Sequence, residues 1–132
     1  MNTKDVADIF LFSIERIEFY WNFYVVSILV LGGWLASTSV KFTLQFRVLI
    51  TAGYLSLSGM NLAALIGSYR TAEALRQDLL GIMFKNAEEL SNTIRVLTGS
   101  SFETRPLIAI SIHLGMAILF IVAIWKSPTV NK

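Results

Sequence analysis

The chain of 132 residues contains no cysteine. Disulfides, thiolate metal ligands and a cysteine nucleophile are thereby excluded, and thiol usage says nothing of the redox compartment. There is one histidine, His113, so a single chain offers no second imidazole to a haem or metal ion. Proline is scarce: there are two, and none precedes Pro106. Up to that point the strongest helix breaker is missing. Also absent are HExxH, GxSxG, CxxC, a glycine-rich phosphate loop and paired carboxylates inside an apolar stretch, along with the chemistry those spacings serve. The expectation is a protein that is not an enzyme and binds no cofactor.

What is present is apolar length. Stretches from about Phe19 to Ser37, Val48 to Ser68 and Leu107 to Trp125 each approach the roughly 20 helical residues that a hydrocarbon core about 30 Å thick requires. A hydrophobic content of 55% and a mean hydropathy of +0.62 exceed those of ordinary soluble domains. A soluble helical bundle is the competing reading. It fails on the third stretch, PLIAISIHLGMAILFIVAIW, which carries no charge and has no polar face for water. The first stretch follows the acidic DVADIF and SIERIEF rather than a short basic region, and it is too long and too late for a cleaved signal peptide, so it is expected to be retained.

The expected fold class is therefore an all-α membrane protein with three transmembrane helices. An N-terminal helical extension precedes the first, and an amphipathic cytosolic helix or helical hairpin joins spans 2 and 3. The single membrane domain, 1–132, divides into a cytosolic N-terminal helix at 1–18, spans at 19–37, 48–68 and 107–125, a cytosolic amphipathic segment at 69–105 and an external tail at 126–132.

Charge gives the orientation. The N-terminus and the second connection share one side and carry Lys4, Arg16, Arg70, Arg76, Lys85, Arg95 and Arg105; the other side carries Lys41, Arg47, Lys126 and Lys132. The positive-inside rule counts these bases and largely ignores acids. It puts the N-terminus in the cytoplasm and the C-terminus outside. All the acids, from Asp5 to Glu103, lie on the first side. Bases interleaved with acids make no continuous patch for nucleic acid, which is not expected as a partner. Tyr20, Trp21 and Tyr69 at the inner boundary, and Phe42, Phe46 and Trp125 at the outer one, read as interfacial anchors.

Between the second and third spans, Leu75, Leu79, Ile82, Met83, Leu90, Ile94 and Leu97 recur at steps of three and four, an amphipathic pattern. A single straight helix over 71–97 would reach about 40 Å. The GSSFETR linker returns at most about 25 Å, so such a helix cannot project straight from the membrane. Either the segment lies on the membrane surface or it folds into a hairpin near Gly81 to Asn86, and the hairpin is favoured. It would let three cytosolic stubs pack together beneath the bilayer. The GSS run reads as a helix stop, and Pro106 fits a first helical turn.

The second span carries Gly59, Ala63 and Gly67, two small-xxx-small steps on one face that mark close helix packing in lipid. It also carries Thr51, Tyr54, Ser58 and Asn61 on one side, read first as interhelical glue and second as the lining of a hydrated path. Counted from the inner boundary, Asn61, Ser27 and His113 fall at about the same depth, with Asn22 shallower. A polar group in hydrocarbon needs a partner, so these residues are expected to meet in one layer. His113 reads first as a buried, hydrogen-bonded neutral ring and second as a proton or ion gate. Glu15 and Glu18, a turn below Asn22, are either paired with arginines or form a cation-concentrating vestibule in a ring of subunits.

Three functions compete. A homo-oligomeric channel, pore or membrane-perturbing effector would use Asn61, His113, Ser58, Ser27 and Asn22 as its polar lining and Glu15 and Glu18 as its vestibule. A non-conducting scaffold or accessory subunit would bind a membrane or cytosolic protein through its spans and cytosolic helix. A membrane enzyme or redox carrier is the weakest. The first is preferred narrowly, with the lipid bilayer and further copies of the chain as the expected partners.

Overall fold

The computed structural model describes residues 3–37, 42–85 and 92–126. The described elements are four helices: α1 Thr3–Ser37, α2 Leu44–Lys85, α3 Asn92–Thr98 and α4 Arg105–Lys126. α1, α2 and α4 are each long and apolar enough to cross a membrane.

α1 runs unbroken for 35 residues, about 52 Å. The N-terminal extension and the apolar stretch are therefore one helix, as the lack of proline allows. α2 begins where the Thr43 hydroxyl accepts a hydrogen bond from the Phe46 N–H at 3.3 Å, an N-cap that satisfies one free donor of the first turn. It continues for 42 residues. The segment after 68 was expected to lie on the membrane surface or to fold into a hairpin; its first part, to Lys85, is one helix with the second apolar stretch. The reason is register. Asn61, Leu65, Ser68, Ala72, Leu75 and Leu79 are all buried and follow at steps of three and four, so one face stays on the core across the polarity change.

The chain then doubles back. The Arg76 guanidinium donates through Nη1 to the Thr98 carbonyl at 3.1 Å, so the end of α3 lies beside the middle of α2's polar half. Gly81 remains inside α2. Residues 86–91, which include the expected hairpin position Asn86 and the expected apolar position Leu90, lie outside the described residues. α3 stops at Thr98, where the Gly99 N–H turns back to the Val96 carbonyl at 3.2 Å. Pro106 follows Arg105 in the first turn of α4, where its missing N–H costs nothing.

Packing is centred on α2, whose backbone runs close to both α1 and α4, while α1 and α4 meet chiefly through side chains such as Tyr24 and His113. The apolar core gathers at one end: Val6, Phe10 and Ile17 of α1 meet Leu65, Tyr69, Ala72 and Leu79 of α2, with Phe102 closing it. Towards the other end the soluble pattern inverts. Leu29, Leu49, Met60, Leu107 and Leu119 are exposed, whereas Ser58, Asn61 and His113 are buried. Apolar outside and polar inside is what a lipid solvent selects.

Candidate functional site

The buried polar side chains form a seam between the three long helices. Asn61 of α2 stands at its centre, only 5% exposed. Its Nδ2 donates to the Tyr20 carbonyl of α1 at 3.1 Å, and its Oδ1 lies 3.2 Å from Nε2 of His113 on α4. The other ring nitrogen, Nδ1, lies 2.8 Å from the Ala109 carbonyl. A carbonyl only accepts, so Nδ1 carries the hydrogen there. A neutral ring then presents a lone pair at Nε2, which pairs with Asn61 only if the amide turns its Nδ2 towards the ring and gives up its bond to the Tyr20 carbonyl; an imidazolium pairs with the Oδ1 as it stands and keeps that bond.

Tyr24 of α1 stacks on the His113 ring with centroids 3.8 Å apart and planes at 14°. Its hydroxyl meets that of Tyr54 on α2 at 3.3 Å, and Tyr54 in turn stacks on Phe120 of α4. Trp21 donates through Nε1 to the Tyr69 hydroxyl at 2.7 Å. At the far end, Trp125 Nε1 donates to the Thr51 hydroxyl at 3.3 Å, and Arg47 Nη1 donates to the Trp125 carbonyl at 2.7 Å. Thr51, Tyr54, Ser58 and Asn61 thus face the interior of one chain. Each contact ties α2 to a neighbour, which is what interhelical glue does.

Of the residues expected in one polar layer, the structure brings Asn61 and His113 together and buries Ser58 a turn away. Ser27 does not join them: it is half-buried and its hydroxyl donates to its own helix, at the Phe23 carbonyl, 2.8 Å away. Asn22 is exposed, on the same outer face of α1 as the exposed Glu15 and Glu18. Back-bonding to the preceding turn satisfies a serine hydroxyl without a partner helix, and this is why depth alone over-counts the layer.

Gly59, Ala63 and Gly67 are exposed, and a Cβ added at Gly59 or Gly67 would meet nothing within 4 Å. With Ala52 and Ser56 they form a stripe on the side of α2 opposite its buried face. Neither α1 nor α4 packs there.

A second polar cluster lies beyond the apolar spans and was missed from sequence, where Glu73 was counted only among the acids of the N-terminal side. Glu73 accepts from Arg76 through both oxygens, at 2.7 and 2.9 Å, from Gln77 at 3.0 Å and from the Phe102 backbone N–H at 2.9 Å. The Arg76 guanidinium, followed by the Phe102 N–H and the Gln77 amide, outweighs burial and holds the Glu73 carboxyl down at about 2. The same pairing pushes Arg76 up. The i, i+3 spacing of Glu73 and Arg76 was the visible signal. Its role in fastening the segment before α4 was not visible. Among the described residues no group of three His, Asp or Glu comes together to hold a metal ion.

These features define an all-helical bundle with three helices of membrane-crossing length and a polar seam between them. No protein-family model, curated protein or solved structure matches the chain.

Proposed function

We propose that this chain is a small integral membrane protein that self-associates through the outward face of α2 and acts as a non-conducting scaffold or accessory subunit. One observation carries the reading: α2 turns its polar side chains inward to α1 and α4 and its small residues outward, where no described helix covers them. In lipid the small face is the one that admits a second backbone. The polar groups that would otherwise line a path between copies are engaged inside each copy. The N-terminal part of α1, the polar half of α2 and α3 then stand on the cytosolic side, where they offer a small helical platform to a soluble partner.

A homo-oligomeric channel is the second reading. It is favoured by the exposed line of Asp8, Glu15, Glu18 and Asn22 along α1, which would ring a vestibule if α1 faced the symmetry axis. The native mass of the full chain in nanodiscs, read beside ion flux in liposomes, tests both. The scaffold reading expects a defined oligomer that Gly67→Leu dissociates and no flux. Flux that falls on Glu15→Gln with Glu18→Gln would favour the channel. A monomer in the bilayer would remove self-association from either.

A further inference from the structure

Between α1 and α2, on the side away from α4, two adjoining cavities make one continuous groove. The lower, about 330 Å³, is lined by Ser13, Arg16, Ser68 and Thr71; the upper, about 540 Å³, by Phe19, Phe23, Leu57 and Met60. Tyr20 and Ala64 line both. The lining changes from cationic and hydroxylic to apolar at that shared pair, close to where the first apolar stretch begins at Phe19. We propose that the groove is a binding site for an anionic phospholipid, its phosphate at Arg16 and one acyl chain along Phe19, Phe23 and Gly53. Ser56 and Gly67 of the small-residue face border the groove, so a lipid there would lie at the edge of the proposed assembly face. The proposal goes beyond the scaffold reading and rests on the spanning of a bilayer with the Arg16 end on the cytosolic side.

The chemistry selects this occupant. Ser13 and Thr71 already donate to their own helices, at the Ile9 and Gly67 carbonyls, which leaves Arg16, Ser68 and Tyr20 as the donors lining the lower cavity. Among the described residues Arg16 forms no ion pair; the one described pair joins Glu73 and Arg76. Glu15 and Glu18 project from α1 at least about 100° of helix rotation away from Arg16, so they do not neutralise the cavity from within. From Ser68 up to Gly53 the groove rises about 22 Å, more than the half-thickness of about 15 Å that one leaflet contributes. Gly53 keeps the upper end open, since a Cβ there would meet nothing within 4 Å. A basic pocket between helices at the cytosolic boundary is where an anionic headgroup is held. A second copy of the chain would fill the apolar length but bring no anion to Arg16.

The test uses the full chain in nanodiscs of equal phosphatidylglycerol and phosphatidylcholine, released for native mass spectrometry. Wild type should retain phosphatidylglycerol in preference. Arg16→Gln should lower that preference about fivefold, the effect of one basic residue near the surface. Arg70→Gln, at the same boundary but lining a different cleft, should leave it unchanged. Gly53→Phe should reduce retention of both lipids by filling the chain's place. Equal retention of the two lipids by wild type, an equal loss from Arg70→Gln, or indifference to Gly53→Phe would each overturn the site. Self-association is read separately from the mass of the lipid-free protein, so a monomer that keeps phosphatidylglycerol would refute the assembly while leaving the lipid site standing.

Discussion

Asn61 of α2 and His113 of α4 face each other at 3.2 Å, and the same Asn61 amide donates to the Tyr20 carbonyl of α1 at 3.1 Å. One side chain therefore joins all three long helices at one level. Both partners are buried, so removing either leaves the facing atom of the other, Asn61 Oδ1 or His113 Nε2, unpaired in a setting with no water to replace it, while the bonds to the Tyr20 and Ala109 carbonyls remain.

Asn61→Leu and His113→Leu should each destabilise the bundle by about 1–2 kcal/mol, and the double variant should cost about 1 kcal/mol less than the sum. Reversible unfolding in mixed micelles measures all three. Strict additivity would mean that the pair is not coupled.

The lone histidine permits an unambiguous reading of its ring. With histidine labelled by nitrogen-15, NMR in nanodiscs should show Nδ1 protonated, because its 2.8 Å partner is the Ala109 carbonyl. The Nε2 signal should move on Asn61→Leu. A ring protonated at Nε2 alone would contradict the hydrogen bond to Ala109.

Glu73 should make the anchoring of Phe102 depend on acid. Its carboxyl is held near 2 in the fold, against an ordinary value of 4.5. A depressed folded value means that the stabilisation is complete above about pH 4.5 and is lost as pH falls towards 2. Hydrogen exchange at the Phe102 amide should quicken over that window. Glu73→Gln should flatten the dependence and weaken the junction by about 2 kcal/mol at neutral pH. An unchanged acid profile in that variant would assign the effect to another group.

Arg47 is only 4% exposed and ties the start of α2 to the end of α4 at the Trp125 carbonyl. A guanidinium also complements the negative end of the α4 dipole. Arg47→Met should fray the last turn of α4, with a loss of about 2 kcal/mol. Faster exchange confined to amides near Ile124 would report it. Protection equal to wild type would show the contact to be dispensable.

The last residue of the first helix and the extent of the last helix were legible because apolar length is a one-dimensional property. α1 ends at Ser37, and α4 encloses 107–125 with one or two residues to spare. The second helix was not, because a polarity change at Tyr69 looks like a boundary unless the inward register through Ala72, Leu75 and Leu79 is followed. Asn61 and His113 were found by counting depth, which works when both side chains point inwards. Tyr24 was not singled out, although it is only 1% exposed and covers the His113 ring. Trp21 and Tyr69 read as headgroup anchors, yet they bond to each other across helices. Which faces meet is a tertiary fact, and spacing along one helix does not contain it.

The two-sidedness of α2 is best tested by crosslinking in the membrane, which the lack of native cysteine makes clean. Single cysteines at Ser56, Gly59, Ala63 and Gly67 should form disulfides between copies on mild oxidation, and single cysteines at Tyr54, Ser58, Asn61 and Leu65 should not. Crosslinks on the inward set, or on neither set, would contradict assembly through the small-residue face.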